Sequence, residues 1–209
     1  MKKNLLVYDP YNVIITGVGG QGNVMASRVL GNMMSRKGLK VSIGETFGAS
    51  QRGGSVMSHL RISSDTAWSP QIPKGKAHMI VALEPIETVR ILLSYGSPEV
   101  KAICNTRPIH PIAVISGERE YPSLEELHKW ITELTAAAWF VDATDAALKL
   151  GDPILSNITM IGAFAALSDL PMDRADFEAV IAQSLPQSKV EANLIAYDMG
   201  LALIAAAQA

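Results

Sequence analysis

The stretch "NVIITGVGGQG", Asn12 to Gly22, decides how this chain is read. Its first half is a β-branched run that ends in glycine, the pattern of a buried strand. Its second half, Gly17-Val18-Gly19-Gly20-Gln21-Gly22, fits G-x-G-x-x-G. The apolar period then changes. Val24, Met25, Val29, Met33 and Met34 fall near one helical face, and Gly38 supplies a stop. A strand, a glycine turn and a helix in this order suit a dinucleotide fingerprint. The backbone can approach a phosphate there, and unpaired helix N–H groups face it. Glu45 stands about where an acid would meet a ribose hydroxyl. Close strand–helix packing also selects small residues, so a turn that binds no nucleotide stays open.

Outward from this unit the chain alternates. "KVSIGE" and "SVMSHLRI" read as strands, as do "HMIVALE" before a helix opening at Pro85, "VKAICN" and "AWFVDA". Ser123 and Glu126 form a capping box ahead of "LEELHKWITELT". From Thr144 onward only helices are expected, about Asp145 to Leu150, Pro153 to Ser168, Arg174 to Ser184 and Pro186 to Ala207. This predicts an α/β fold with three Rossmann-like layers and a mixed, mostly parallel sheet. It forms one domain over 1–209, with a sheet core at about 11–143 and an extra C-terminal helical segment at about 144–209. "SVMSHLRI" follows its predecessor without the dozen or so residues of a parallel crossover, so it is expected to be antiparallel to a neighbour.

The short link before that strand, within "GASQRGGSVMS" (Gly48 to Ser58), is the second glycine-rich element. Gly53 and Gly54 free the backbone, and Arg52 beside Gln51 offers a fork of donors for phosphate or carboxylate. With Ser55 these residues emerge at the carboxyl edge of the sheet, where α/β crevices form. A flexible turn with a solvated arginine is the plainer alternative. "NTRPIHPI" (Asn105 to Ile112), with Asn105 and Arg107, reads as a stiff extended loop and a third element of that edge.

Composition narrows the classes. Hydrophobic residues make up 48% and charged residues 18% of 209, and the net charge is −2 without any basic stripe. A large core is expected and nucleic acid is not. The single cysteine, Cys104, ends an apolar run and reads as a small buried hydrophobe. One thiol supplies neither a disulfide nor the four ligands of an iron–sulfur cluster. His59 reads as a sheet-face residue. His78 and His110 have no partner at metal-ligand spacing, so no metal is expected. Asp142 and Asp145 read as caps of the following helix. The start resembles no secretory signal, and the runs "WFVDATDAALKL" and "ILSNITMIGAFAAL" are too short or interrupted to span a bilayer. A cytoplasmic protein with no membrane partner is expected. Pro153 to Ser168 and the last segment are apolar nearly all round, which predicts uncovered surface and a homo-oligomer when the chain is isolated.

"GVGGQG", "GETFGASQRGGSVMSHLRIS", "SPQIPKGKAHMIVALEP" and "NTRPIHP" together resemble the gamma-type domain of 2-oxoacid:ferredoxin oxidoreductases. The loop "SQRGGSV" resembles the small beta subunit of the indolepyruvate type; the pyruvate and 2-oxoglutarate types usually carry a Tyr-Gly-rich version. The likeness covers about Asn12 to Pro111 with specific motifs and runs more loosely to the C-terminus. It implies oxidative decarboxylation of an aryl pyruvate to an acyl-CoA with ferredoxin as acceptor. Thiamine diphosphate and iron–sulfur clusters would carry that chemistry. This chain has no Gly-Asp-Gly…Asn-Asn thiamine motif; "GDP" at Gly151 stands in the wrong context. The resemblance therefore implies a non-cofactor subunit, inactive alone, that completes the site of a larger thiamine- and cluster-binding partner and helps to position coenzyme A. An independent NAD- or FAD-binding oxidoreductase and a non-catalytic assembly protein are the other two readings.

Overall fold

In a computed structural model, residues 6–48 and 53–208 are described. Six strands form one mixed sheet in the order β2-β3-β1-β4-β5-β6. They are β1 (Tyr11–Val18), β2 (Lys40–Phe47), β3 (Ser55–Ser63), β4 (Met79–Ala82), β5 (Lys101–Asn105) and β6 (Ala137–Val141). β1, β4, β5 and β6 pair in parallel, whereas β3 is antiparallel to both β1 and β2. The expected mixed sheet is present. Its antiparallel strand lies inside the sheet, with β2 outside it.

β1 is buried over its whole length, as its β-branched run requires in a sheet covered on both faces. Alternation sorts its side chains: Val13 and Ile15 enter one core, Ile14 the other. The first core is closed by α1 (Asn23–Arg36), α6 (Ser156–Leu167), α7 (Arg174–Ser184) and α8 (Gln187–Gln208). The second is closed by α2 (Pro85–Tyr95) and α4 (Leu124–Glu133). α3 (Ile112–Ile115) and α5 (Ala143–Lys149) complete the helices.

Local signals set the helix ends. α1 stops at Arg36, and Gly38 follows with φ +81. α2 opens on Pro85 with Glu84 as its N-cap. The Ser123–Glu126 capping box is formed at α4. Two readings need correction. The segment 153–168 begins with a 3-10 turn, Pro153–Leu155, before α6. Asp142 occupies the N-cap position of α5 but makes no side-chain cap; its carboxylate accepts from the Thr106 hydroxyl instead.

α6 is covered on all sides, as its uniformly apolar composition requires. α6 is buried from Ser156 to Phe164 and packs on α8. At the crossing, a Cβ on Gly162 would collide with the Tyr197 carbonyl, and one on Gly200 with the Thr159 carbonyl. Glycine at both positions brings the two backbones together, so α6 and α8 cover each other along the crossing, while a third of α8's most apolar stretch is buried and Ile195 stays exposed. α8 has 22 residues with a mean hydropathy of 1.4 in its most apolar window, long and apolar enough to cross a membrane. Here Val190, Ala196, Tyr197 and Ile204 are buried.

Candidate functional site at the carboxyl edge of the sheet

Strand order places several loops together. The carboxyl ends of β1 and β4 are adjacent, and the chain departs from them to opposite faces through α1 and α2. This is the switch point at which α/β sheets form a crevice. The two glycine-rich elements meet beside it. The Gly19 amide donates to the Gly54 carbonyl at 2.8 Å, and the Gly53 amide to the Gly19 carbonyl at 3.3 Å. Gly53 has φ +70, a conformation that L side chains rarely adopt. Gln51 and Arg52, the polar part of that loop, lie outside the described residues.

The crevice itself is bridged by the chain. Gln21 Oε1 accepts the Val18 amide at 2.8 Å, and Gln21 Nε2 donates to the Leu83 carbonyl at 2.7 Å. A Cβ on Gly17 would stand 2.5 Å from that same Oε1. Gly22, with φ +81, leaves room for the Asn157 amide, whose Nδ2 donates to the Gly22 carbonyl at 3.4 Å. Gly17 and Gly22 thus accommodate the protein's own amides. Gly20, with φ +104, has open space where its Cβ would be.

Glu45 does not join this turn. In a dinucleotide fold the acidic strand lies next to the first strand. Here β3 separates β2 from β1, and Glu45 pairs in register with Ser58. The ribose-contact reading of Glu45 fails because the intervening antiparallel strand holds it one strand too far out.

Two carboxylates with no motif of their own organise the edge. Glu84 is fully buried. One of its oxygens caps the Glu87 amide at 2.9 Å, and the other accepts from the Ile109 amide at 3.3 Å and from the Tyr121 hydroxyl. Glu87 accepts from Ser55 Oγ at 2.6 Å and pairs with Arg90 at 3.0 Å. Burial raises the Glu87 carboxyl pKa, while Ser55 and Arg90 oppose the rise. Ser55 is thereby fixed at the start of β3. The only sequence signal for Glu84 was an acid directly before the helix-opening proline.

Asn105 and Arg107, expected on a third loop, have different roles. Asn105 is buried; its Nδ2 donates to the Leu83 carbonyl at 3.0 Å and to Thr144 Oγ1 at 2.9 Å, bracing β5 against β4 and α5. Arg107 is exposed and lies 3.6 Å from the Asp145 carboxylate. It lines a cavity of about 360 Å³ with Gly19, Gly20, Gln21, Thr144 and Ser156. Backbone of the glycine turn and a guanidinium line it together and are donors for an anionic group, while Asp145 already engages Arg107 and Asp152 lines the same cavity. Apolar side chains surround this edge: Phe47, Ile109, Ile112, Ile115 and Ile154 are all exposed.

Cys104 is buried, hydrogen-bonded to Thr88 Oγ1 at 3.3 Å, and its thiol is pushed up to about 12 by burial. It is neither a nucleophile nor an accessible ligand. His59 lies buried on β3, as expected. No group of three or more His, Cys, Asp or Glu that could hold a metal occurs among the described residues.

An open-edged α/β sheet with paired glycine loops and a covered switch point defines a Rossmann-like domain whose working edge is a shaped surface. The chain belongs to the pyruvate ferredoxin/flavodoxin oxidoreductase family, whose model matches residues 12–203. It is 36% identical to the indolepyruvate oxidoreductase subunit IorB of Pyrococcus horikoshii over 91% of this chain and 94% of that one. It is 30% identical to the 2-oxoglutarate synthase subunit KorC of Methanothermobacter marburgensis, over 91% and 94%. In fold it resembles the gamma subunit of a keto/oxoacid ferredoxin oxidoreductase from Geobacter sulfurreducens, with a TM-score of 0.67, 20% identity and coverage of 94% and 99%. It also resembles part of the 2-oxoglutarate:ferredoxin oxidoreductase of Magnetococcus marinus, with a TM-score of 0.72 and 18% identity. That likeness covers 95% of this chain and 32% of that chain.

Proposed function

We propose that this chain is the small subunit of a 2-oxoacid:ferredoxin oxidoreductase of the indolepyruvate type. It would work with a larger subunit that carries thiamine diphosphate and the iron–sulfur clusters. The reading rests on the relatives of the same length, four of them indolepyruvate oxidoreductase subunits at 33–36% identity. The observation that carries the role of the edge is the Gly19–Gly54 and Gly53–Gly19 pairing. It builds a glycine-faced surface flanked by exposed Phe47, Ile109, Ile112 and Ile115, a combination that suits a partner protein.

The chain's own residues do not fit a cluster, because its one cysteine is enclosed and its thiol resists ionisation. Cluster thiolates would come from the partner. Thiamine diphosphate, when bound there, supplies the carbanion chemistry of decarboxylation. This chain would shape and close the site. Gly20 and Arg107 would offer backbone and guanidinium donors to an anionic group such as a phosphate of coenzyme A.

Reconstitution tests this. Ferredoxin reduction by an aryl pyruvate should require both chains, and the isolated chain should be colourless and inactive toward 2-oxoacids. Turnover by this chain alone, or full turnover by the large subunit without it, overturns the proposal. A dinucleotide-dependent reading predicts saturable NADH or FAD binding instead, and the displacement of Glu45 argues against it.

A further inference from the structure

At the opposite edge, where β1 and β4 begin, a second cavity of about 440 Å³ opens to solvent. Tyr8, Asp9, Asn12, Arg61, Lys76 and His78 are among its lining residues. We propose that it binds a small carboxylate monoanion, with an aryl carboxylate preferred.

Arg61 is the centre of the reasoning. It lies in β3 beside Asn12 of β1 and is only 8% exposed. Its Nε donates to Asn12 Oδ1 at 3.2 Å and its Nη1 to the Ser69 carbonyl at 3.1 Å. The guanidinium stands 4.9 Å from the centre of the Trp68 ring. All three partners are neutral. Among the described residues Arg61 makes no ion pair, and its Nη2 has no acceptor. A charge this little exposed is ordinarily paired, and Nη2, which is not among the enclosed unpaired atoms of the described residues, is open to a partner. The cavity beside Arg61 is the place where a counter-charge fits.

Its other walls agree. His78 Nδ1 accepts the Asn12 amide at 2.9 Å, so the neutral ring carries its proton on Nε2 and is a donor. Lys76 is exposed at the rim, and its carbonyl is anchored by Asn12 Nδ2 at 2.8 Å. Asp9 is the one acid in the lining, and it already accepts the Ser64 amide at 3.0 Å. Arg61 and Lys76 against Asp9 leave a single positive charge in the lining itself, which matches a monoanion; Glu99 acts on His78 from outside the lining. A planar guanidinium edge favours a carboxylate. The Tyr8 ring stacks on His78 at 4.2 Å and 7°, giving a flat wall for an aromatic group.

A purely structural role also exists. Arg61 holds Ser69 while His59 Nδ1 accepts the Ile72 amide, and together they tie down the segment after β3. That role uses Nε and Nη1 but leaves Nη2 and the charge without a partner among the described residues.

The test titrates the labelled full chain with benzoate at constant ionic strength, following Tyr8, His78 and Lys76 by NMR. Acetate and inorganic phosphate are parallel arms. Saturable shifts confined to these residues, tightest for benzoate, are expected. Lys76→Met should weaken binding about tenfold and Arg61→Gln should abolish it. Should Arg61→Gln fail to fold, Lys76→Met and Tyr8→Ala decide. Shifts that do not saturate, affinity unchanged in Lys76→Met, or phosphate binding as tightly as benzoate overturn the proposal.

Discussion

Gln21 donates through Nε2 to the Leu83 carbonyl at 2.7 Å, joining the turn after β1 to the end of β4 across the switch point. The same side chain accepts the Val18 amide. Gln21→Ala removes both bonds and opens the crevice. A loss of about 1–2 kcal/mol is expected, at about 1 kcal/mol for each net hydrogen bond. Urea denaturation checks it, and an unchanged midpoint would show that water replaces the amide without loss.

Gly53 and Gly54 should respond differently to valine. Gly53 sits at φ +70, where a β-branched residue is strained. Gly54 is not among the positive-φ glycines. Gly53→Val is expected to disturb the pairing with Gly19 and lower the activity of the reconstituted complex more than Gly54→Val does. Equal activity for the two variants refutes the special role of Gly53.

The α6–α8 crossing is expected to be intolerant of a single added methyl group. In both Gly162→Ala and Gly200→Ala the Cβ meets a carbonyl of the facing helix. Forced separation of packed helices costs about 2 kcal/mol, which in a chain of this size lowers Tm by about 4–8 °C. Calorimetry of each variant measures it. A Tm within a degree of the parent would mean that the helices separate freely.

Ile112 and Ile115 are 83% and 74% exposed on α3, which has no buried residue. Ile112→Asp with Ile115→Asp should leave Tm nearly unchanged, because neither side chain is packed. Association with the large subunit should weaken at least tenfold if α3 lies near the centre of the interface. The same pair of changes should abolish any self-association of the isolated chain in sedimentation. Self-association that survives it would return attention to α8, where Ile195 is exposed.

Three histidines make stability pH-dependent. Burial lowers the pKa of His59, His78 and His128, with the Glu99 and Asp142 carboxylates opposing it at the latter two. Each imidazole therefore protonates more readily in the unfolded chain. Their contribution to stability is full above pH 6.5 and falls as pH drops from there toward the lower folded values. Protonation also breaks the Asn12–His78 and Ile72–His59 bonds. Glu87 acts with the opposite sign: its carboxyl is raised, so its contribution is present below pH 4.5 and is lost as pH rises through the folded value. Glu87→Gln keeps an acceptor for Ser55 and should raise stability at pH 7. Unfolding at pH 5.5 and 7.5 tests the histidines, and a parent more stable at the lower pH would refute their assignment.

What the sequence determined by itself was local. Short β-branched and apolar runs located all six strands, and period-3.6 patterns the long helices. Ser123, Pro85 and Gly38 marked helix ends, because a cap or a positive φ is settled by residues a few positions apart. The Gly-Gln-Gly turn and the "RGG" link were legible for the same reason, and so was the antiparallel β3, which had too short a connection to be parallel. The tertiary structure decided everything that depends on strand order. It placed β3 between β1 and β2 and so removed Glu45 from the glycine turn. It carried Leu83 to Gln21, Tyr121 to Glu84 and Glu87 to Ser55. It also let Gly162 and Gly200 bring together two helices that periodicity marks only as apolar. These partners lie 32 to 62 residues apart in the hydrogen-bonded pairs. Sequence periodicity reports which face of an element is apolar; which neighbour covers that face is settled only when the whole chain packs.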